Sequence, residues 1–353
     1  MTHTPTSPLF HTLPNGALDI IGDVHGEWAA LQSLLHHLGY DEQGRHPQGR
    51  KLVFVGDLCD RGQDSPAVLN WVIQAMAAER AWAVLGNHEL NLLMDDPKDG
   101  SGWYFQPRLQ DEQRYAPWQH YPEQHKAALH AQLQQWPLLL QRADLRIIHA
   151  AWLPESLQQI ADAGAMPLVA QYRHWEADFN RQFQQSEWYD AYHQEQQHFQ
   201  AALEDENYPM AYLPATGAYD LLRSHANPIR ALTCGVETQA PVPFYANGRW
   251  RFTARCPWWQ DYPQTTPVLI GHYWRTWQSQ PTPPNRLALF SEAAQAWQGA
   301  QQSVFCLDYS VGARWRERRD GTPIEQSRFH LAAMRWPEQV LVLDNGIVSA
   351  TVR

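Results

Sequence analysis

Apolar and polar stretches alternate regularly in the first ninety residues of the chain. Three apolar runs have the length of buried β-strands: Ala17–Ile21, Leu52–Val55 and Ala81–Leu85. Each run ends at a short polar loop that contains glycine, and helix-compatible sequence follows each loop. This order predicts a βαβαβ unit, in which parallel strands are joined by helical crossovers.

Helices are predicted after each of these strands. Between Glu27 and Leu38 the apolar residues recur at helical spacing, which is typical of an amphipathic helix. A second helix is predicted over Ser65–Ala78, where a Ser-Pro pair suits a helix N-terminus. A third is predicted to begin at His88, with the positive end of its dipole near the preceding loop.

Two later blocks, residues 95–142 and 154–227, lack this rhythm and are rich in Gln, Trp, Tyr and His. Helices are predicted over Lys126–Trp136 and Leu168–Leu203. The second carries an aromatic stripe that suits either a stacking surface or packing against a core, and packing is favoured. Other segments predict strands or a hairpin turn: Ser303–Tyr309, His330–Trp336, Gln339–Leu343 and the turn at Asn247-Gly248.

Composition excludes several classes of protein. The 353 residues carry a formal net charge of −10, which argues against a general nucleic-acid-coating surface because phosphate contacts need clustered Lys and Arg. Apolar residues make up 44% of the chain, enough for a large core. The four cysteines have no CxxC spacing, so they indicate neither a zinc knuckle nor a disulfide framework and favour a reducing compartment.

The sequence also bears on location. No apolar run approaches the length of a membrane span. Residues 1–14 have neither the basic start nor the apolar core of a signal peptide, and they are predicted to be a loose tail. These features predict a soluble cytoplasmic protein without a membrane partner, and they leave the oligomeric state open.

The glycine-bounded loops carry side chains that bind metals. Because the C-terminal ends of parallel strands lie at one edge of a sheet, the loops are expected to converge. Their carboxylate, amide and imidazole groups suit Mn, Fe or Zn. Asp and Asn are also common turn and cap residues, but three such loops favour a metal site. The loops read Gly22-Asp23-Val24-His25-Gly26, Gly56-Asp57-Leu58-Cys59-Asp60-Arg61-Gly62 and Gly86-Asn87-His88-Glu89.

The three loops, in this order, resemble the signature motifs of the calcineurin-like metallophosphoesterases. Their DRG and NHE endings resemble the phosphoprotein phosphatase branch of that family. The resemblance implies an α/β fold, a four-layer αββα sandwich of two mixed β-sheets with a largely helical cap. It implies a single domain over residues 1–353, with a core at about 15–94, 143–153 and 228–353 and cap insertions at about 95–142 and 154–227.

The resemblance also implies a cofactor. Two divalent metal ions are expected, with Mn favoured and Fe, Zn or Ni as alternatives. The bridging ligand between them would be Asp57. The full set of implied ligands is Asp23, His25, Asp57, Asn87, His149 and His272.

Three further residues match the family's catalytic positions. His88 resembles the general acid that protonates the leaving group, and Asp60 would orient it. Arg61 resembles the arginine that holds the substrate phosphate, because a guanidinium fork matches phosphate oxygens. Asn87 would contact the phosphate as well as a metal. No protein nucleophile is required.

Two more phosphate contacts are predicted from position alone. Related phosphatases have an arginine between their last two histidine ligands, and Arg255 is the preferred match, followed by Arg251 and Arg249. An arginine stacked on surface tryptophans is an alternative interpretation of the same segment. Tyr273 directly follows the last ligand and would line the pocket, and Asp308 is expected just outside the ligands.

The implied reaction is hydrolysis of phosphate monoesters by in-line attack of a metal-bound hydroxide. The DRG and NHE motifs favour a serine/threonine, or tyrosine, phosphoprotein as substrate. Cys306–Tyr309 and Met334–Glu338 resemble the ends of bacterial diadenosine-tetraphosphatase-like and RNA-repair phosphatase domains, so nucleotides, dinucleoside polyphosphates and RNA ends are the alternative. A non-catalytic metal-binding regulatory protein is a third hypothesis, and the complete ligand set argues against it.

Overall fold

The predicted strand–helix rhythm is present in a computed structural model of the chain, which describes residues 4–106, 108–246, 248–277, 289–290 and 292–353. The strands are β1 (Phe10–Thr12), β2 (Leu18–Ile21), β3 (Lys51–Phe54), β4 (Ala81–Ala83), β5 (Leu139–Arg142), β6 (Leu145–Ile148), β7 (Glu237–Ala246), β8 (Arg249–Arg255), β9 (Val268–Ile270), β10 (Val304–Cys306), β11 (Ala332–Trp336), β12 (Val340–Leu343) and β13 (Val348–Ala350). The α-helices are α1 (Trp28–Leu38), α2 (Ser65–Ala77), α3 (Asn87–Leu93), α4 (Leu109–Tyr115), α5 (Lys126–Leu133), α6 (Pro154–Asp162), α7 (Leu168–Gln184), α8 (Tyr189–Phe199), α9 (Pro214–Ala226), α10 (Pro228–Cys234) and α11 (Arg314–Arg319).

The strands form two mixed sheets and a separate hairpin. One sheet has six strands in the order β13-β12-β11-β2-β3-β4, with β2, β3 and β4 parallel and β11 antiparallel to β2. The other has five strands in the order β1-β5-β6-β9-β10, in which the β5–β6 pair is antiparallel and the other pairs are parallel. Two mixed sheets with flanking helices confirm the predicted α/β fold class.

The two sheets share one hydrophobic core. Leu18 and Ile20 on β2 are fully buried and belong to the same cluster as Leu145 and Ile147 on β6. Within each strand the two buried residues are two positions apart, because successive side chains of a strand point to opposite faces of the sheet. Each such burial contributes about 1.5–3 kcal/mol. The strand ends are therefore a firm base for the loops that follow them.

The crossover helices form close to their predicted positions. α1 buries its apolar stripe and ends at Gly39, whose φ of 90° is the left-handed conformation that favours glycine at a helix C-terminus. α2 is capped by Asp64, whose side chain accepts a hydrogen bond from the Ala67 N–H. Both helices connect neighbouring parallel strands of the six-stranded sheet, as the βαβαβ pattern predicted.

The described residues divide into two compact units. The larger unit contains residues 6–150, 259–277 and 292–353 and both mixed sheets. The smaller unit consists mainly of residues 151–258, with helices α6–α10 and the antiparallel hairpin of β7 and β8. The hairpin was predicted around Asn247-Gly248, and Asn247 itself lies outside the described residues. Among the described helices, none combines the length and the apolar character needed to cross a membrane.

This division differs from the predicted boundaries of core and cap. Residues 95–142 were predicted as cap but belong to the larger unit, and residues 228–258 were predicted as core but belong to the smaller unit. Backbone hydrogen bonds explain the first difference, because the Gln119 N–H donates to the Gln63 carbonyl and the Leu85 N–H donates to that of Pro137. The assignment of residues 1–353 to a single domain stays a prediction.

Two local predictions were wrong. Residues 10–12 form β1, which pairs with β5, instead of a loose tail. The helix predicted over Leu168–Leu203 is two helices, α7 and α8, and the Ser186 hydroxyl donates to the Phe183 carbonyl where α7 ends. The aromatic stripe packs within its own unit, since the Phe183 ring lies 4.9 Å from that of Tyr219. Packing, the favoured alternative, is confirmed.

Candidate metal centre

The predicted metal ligands come together at the C-terminal ends of strands from both sheets. The parallel pairing of β2 with β3, of β3 with β4 and of β6 with β9 aligns these ends. All of the ligands are buried apart from the half-buried Asn87. Asp23 and His25 follow β2, Asp57 follows β3, Asn87 follows β4, His149 follows β6 and His272 follows β9.

Asp57 lies between two groups of potential ligand atoms. One group is His25, Asp57 and His88, and the other is Asp57, His149 and His272; within each, the atoms lie within 4.8 Å of one another. Asp57 Oδ2 is 3.3 Å from His149 Nε2, 3.8 Å from His88 Nε2 and 3.9 Å from His25 Nε2. A carboxylate shared by two groups is the arrangement that a bridging ligand requires.

Asn87 completes the second group with an amide oxygen. Its Oδ1 lies 2.8 Å from His272 Nδ1 and 3.2 Å from His149 Nε2. The residue is the first of helix α3, so the turn after β4 carries it into the centre. Oxygen and nitrogen donors at these separations are suited to a divalent cation.

Asp23 joins the first group from the loop after β2. Its Oδ2 lies 3.9 Å from His25 Nε2 and accepts a hydrogen bond from the His272 backbone N–H at 3.0 Å. Gly271 makes this approach possible, because a Cβ at that position would lie 1.9 Å from Asp23 Oδ1. A glycine is therefore required where the loop after β9 meets the loop after β2.

The histidines are held in the tautomer that a metal needs. His25 Nδ1 lies 3.0 Å from the Cys59 carbonyl oxygen, and His149 Nδ1 lies 2.7 Å from that of Val55. A carbonyl can only accept, so each Nδ1 carries the proton and each Nε2 presents its lone pair to the centre. The donor set thus fits divalent cations.

The pKa values of the candidate ligands also favour a cation at this centre. Burial lowers the pKa of His25 well below its ordinary value, which keeps the imidazole neutral. Burial alone would raise the pKa of Asp57, but His149 and His88 outweigh it, so this pKa lies well below the usual range. The pKa of Asp23 is raised by burial, and then by the charges of Asp308 and Asp57. Carboxylates crowded together in this way would be stabilised by cations.

The backbone of the centre is strained. His25, Asp57, Asp60, Arg61 and His272 all have φ between 47° and 73°. Residues other than glycine rarely adopt this left-handed region, and each such residue costs on the order of 1–3 kcal/mol. The strain is tolerated because the loops are anchored at both ends by buried strands and by hydrogen bonds to neighbouring loops.

Glu89 supplies many of those hydrogen bonds, and the sequence analysis assigned it no role. Its fully buried carboxylate accepts from the backbone N–H groups of Asp57 at 2.9 Å, Leu58 at 2.8 Å and Gly86 at 3.1 Å. The available signal was its position as the third residue of α3, where Glu commonly accepts from the backbone at the helix start. Glu89 therefore joins the loops after β3 and β4.

His88, Asp60 and Trp103 form a buried chain of hydrogen bonds. His88 Nδ1 lies 2.5 Å from Asp60 Oδ2, and Trp103 Nε1 donates to Asp60 Oδ1 at 2.5 Å. The first contact is the one predicted for a general acid and the residue that orients it. No sequence pattern pointed to Trp103, because it lies in the irregular block 95–142, forty-three residues from Asp60.

Arg61 lies beside the first group of ligands. Its Nη1 donates to His25 Nε2 at 3.0 Å, and its own N–H donates to the Gly100 carbonyl at 2.9 Å. Its guanidinium carbon lies 4.9 Å from the ring centroid of Trp274. The His25 lone pair cannot serve both partners, so Arg61 would leave it when a cation binds and become available to phosphate.

Three other predicted positions are less directly connected to the centre. Arg255 is the last residue of β8 in the smaller unit, and its contact with phosphate stays a prediction. Tyr273 is fully buried, with its ring edge-on to Trp259, and its place in the pocket stays a prediction. Asp308 is close enough to Asp23 for its charge to raise the pKa of that carboxyl, and its role just outside the ligands stays a prediction too.

Comparison with known proteins agrees with this geometry. The family model described as "Calcineurin-like phosphoesterase" matches residues 17–207, more than half of the chain. An asymmetrical bis(5'-nucleosyl)-tetraphosphatase PrpE from Oceanobacillus iheyensis is 45% identical over 74 residues. These residues make up 20% of this chain and 30% of the relative, so the match covers less than a third of the relative's length.

Two solved structures are similar along most of the chain. A candidate diadenosine tetraphosphatase is 17% identical with a TM-score of 0.43, and 98% of each chain is covered. A cold-active protein-tyrosine phosphatase from a Shewanella species is 14% identical with a TM-score of 0.43, covering 99% of this chain and 85% of the other. Scores of this size do not discriminate between their substrates. The family model, which covers more than half of the chain, shows that the chain belongs to the calcineurin-like phosphoesterases.

Proposed function

We propose that the protein hydrolyses the phosphate chain of nucleoside polyphosphates, with dinucleoside polyphosphates, which are split into two nucleotides, as the first class of substrate and Mn as the preferred metal. The observation that carries the hydrolytic part is Asp57, which is shared by two ligand groups and lies beside the His88–Asp60 pair. The relative named above supports the nucleotide part, because it is called a bis(5'-nucleosyl)-tetraphosphatase and this chain is 45% identical to it over 74 residues. This reverses the ranking of substrates in the sequence analysis.

The protein's own groups account for binding and proton transfer. Two divalent cations at this centre would supply an activated water and neutralise charge on the phosphoryl group. Arg61 would bind phosphate oxygens, and its guanidinium keeps its charge throughout the working range of pH. His88 would donate the proton on Nε2 to the departing oxygen, while Asp60 accepts from Nδ1 and fixes the ring.

A phosphoprotein is the second candidate substrate. The specific observation in its favour is the Asp60-Arg61-Gly62 sequence, which brings Arg61 to within 3.0 Å of His25 next to the predicted general acid. A serine or tyrosine phosphomonoester needs only one phosphate site, and Arg61 would provide it.

The test is hydrolysis by the Mn-loaded protein of diadenosine tetraphosphate, a phosphoserine peptide, a phosphotyrosine peptide and a 2′,3′-cyclic nucleotide. Chromatography of the nucleotide products measures the two nucleotide reactions, and phosphate release measures the two peptide reactions. We expect the highest kcat/KM for diadenosine tetraphosphate. A preference for a phosphopeptide would overturn the nucleotide proposal in favour of the second candidate. If none of the four is hydrolysed while Mn is bound at both positions, both candidates are rejected.

A further inference from the structure

Arginine and tryptophan side chains alternate in space, beginning at the metal centre. The guanidinium of Arg61 lies 4.9 Å from the Trp274 ring centroid, and that of Arg316 lies 5.8 Å from the same centroid. Arg316 is also 5.3 Å from the centroid of Trp315, and Arg114 is 5.7 Å from it. We call these five residues the arginine–tryptophan row. All of them belong to the larger unit.

Arg316 is the arginine of this row on helix α11, and its charge partners differ from those of Arg314 and Arg318 in the same helix. Arg314 is buried and pairs with Asp344 at 2.7 Å, and Arg318 pairs with Glu27 at 2.7 Å. Arg316 lies between them in sequence and is exposed. Within the described part of the chain, no carboxylate oxygen comes within 4.0 Å of the Arg316 guanidinium. Arg314 and Arg318 therefore stabilise the fold, and Arg316 is available to a ligand.

The row carries positive charge that its surroundings do not neutralise. Arg114 pairs with Asp99 at 2.7 Å, but Arg61, like Arg316, has no carboxylate oxygen within 4.0 Å among the described residues. Desolvation, followed by the like charges of Arg328, Arg61 and Arg114 and opposed by Tyr115, lowers the pKa of Arg316. Like charges this close repel one another, and an anion bound between them would relieve the repulsion.

We propose that the arginine–tryptophan row binds the phosphate chain of a polyphosphorylated substrate. Arg61 holds the phosphate that is cleaved, and Arg316 holds phosphate groups farther along the chain. Guanidinium groups bind phosphate oxygens through two parallel hydrogen bonds. The indole of Trp274 contacts both arginines and restricts their motion through cation–π attraction, which reduces the entropic cost of binding.

This inference rests on the proposed function, because it takes Arg61 as the ligand of the reacting phosphate. Successive arginines that share one indole match successive anionic groups on a single chain. A phosphopeptide brings one phosphate dianion to the centre, so its binding would use Arg61 alone. The row therefore favours nucleoside polyphosphates over phosphoproteins as substrates.

The test compares Arg316→Gln with Arg45→Gln as a matched control. Arg45 is exposed in the loop between α1 and β3, which lies at the amino-terminal ends of the strands and so at the edge opposite the metal centre. The Mn-loaded proteins hydrolyse p-nitrophenyl phosphate, and tripolyphosphate and orthophosphate are measured as competitive inhibitors. Both variants are assayed in identical solutions, so chelation of Mn by tripolyphosphate affects them equally.

We expect Arg316→Gln to raise the ratio of the tripolyphosphate Ki to the orthophosphate Ki about tenfold, and Arg45→Gln to leave it unchanged. An unchanged ratio in Arg316→Gln overturns the proposal. This readout is independent of the substrate assignment, since it needs no nucleotide turnover. A raised ratio without hydrolysis of diadenosine tetraphosphate would reject the proposed substrate and keep the phosphate-chain site. Hydrolysis with an unchanged ratio would reject the site and keep the substrate.

Discussion

The two compact units use carboxylates that accept backbone hydrogen bonds for different purposes. In the larger unit, Glu89 accepts three backbone N–H bonds and joins two loops whose neighbouring side chains form the metal centre. In the smaller unit, the half-buried Glu195 accepts from the N–H groups of Ala215 and Thr216 at the start of α9. One carboxylate orders ligands, and the other begins a helix.

The difference shows which part of a sequence reveals chemistry. In the larger unit, polar residues directly follow buried strands, and the parallel ladder forces those loops together. In the smaller unit, polar residues lie on helices, whose neighbours in space depend on aromatic packing that has no short signature. A carboxylate that accepts backbone hydrogen bonds therefore does not by itself identify a functional site, and mutation of matched pairs can separate the two roles.

The largest expected effect is that of Asp57→Asn. Replacing the shared carboxylate removes the charge between the two ligand groups, so we expect loss of bound metal and loss of phosphatase activity. Metal content by elemental analysis and turnover of p-nitrophenyl phosphate measure the two effects. Two metals per chain in Asp57→Asn would contradict the bridging assignment. Asp190→Asn, at an exposed carboxylate on α8, serves as the control in the smaller unit.

His88→Asn is expected to keep the metals and to slow turnover by roughly 10²–10⁴. The reason is the loss of the proton donor that Asp60 orients. The deficit should be larger for phenyl phosphate than for p-nitrophenyl phosphate, because the better leaving group needs less protonation. Rates for both substrates at saturating Mn provide the measurement, and equal slowing of both would argue that His88 acts as a ligand instead.

Glu89→Gln and Glu195→Gln compare the two units directly. Each change is expected to cost about 1–3 kcal/mol of unfolding free energy, because backbone N–H groups lose a charged acceptor. Glu89→Gln should also weaken Mn binding about 10–100-fold, the usual size for a residue that supports metal ligands. Urea unfolding and Mn titration measure the two quantities. If Glu195→Gln weakened Mn binding equally, the contrast between the units would fail.

The smallest expected effect lies in the smaller unit. Burial, followed by the charge of Glu237, raises the pKa of Asp220 to about 6 against the countering charges of Arg251 and Arg249. In the folded chain Asp220 keeps its proton up to about pH 6, whereas in the unfolded chain it loses the proton near the ordinary pKa of 3.8. The stability of the folded chain therefore falls as the pH rises between these two pKa values. Because the group is partly exposed, Asp220→Asn should stabilise the protein by only about 1 kcal/mol at pH 7.5.

The gain from Asp220→Asn should shrink as the pH is lowered from 7.5 to 5. Urea unfolding at both values tests this, with Asp190→Asn as the matched exposed carboxylate. Phosphatase activity of Asp220→Asn toward p-nitrophenyl phosphate should equal that of the unchanged protein. A gain independent of pH would show that the raised pKa does not contribute to stability.

Sequence alone predicted the ligands but few of the residues that support them. Asp23, Asp57 and His149 could be found because each directly follows an apolar run, and strand order brings such positions together. Trp103 and Arg316 could not, because their contacts depend on segments distant in sequence and without periodic pattern. Tyr273 was predicted from its adjacency to a ligand, its side chain is as buried as the ligands His25 and His149, and its place beside the pocket stays a prediction.

The predicted boundaries of core and cap differ from the division into two compact units for a related reason. The block 95–142 differs in composition from the first ninety residues, yet its backbone bonds to the loops of the larger unit. Composition reports which residues a segment contains and not which surface it covers. The break after α7 was equally hidden, since Ser186 closes the helix through a local hydrogen bond within an otherwise helical pattern.

The origin of the ligands in two sheets has a consequence for metal exchange. The predicted ligands of one cation, Asp23, His25 and Asp57, all follow strands of the six-stranded sheet. The other cation would take ligands from both sheets, with His149 and His272 supplied by the five-stranded sheet. Any sliding of one sheet over the other would separate the ligands of the second cation and leave those of the first together. The exchange rate of the second cation should therefore follow the opening of the core between the sheets, and the exchange rate of the first should follow the motion of its loops alone.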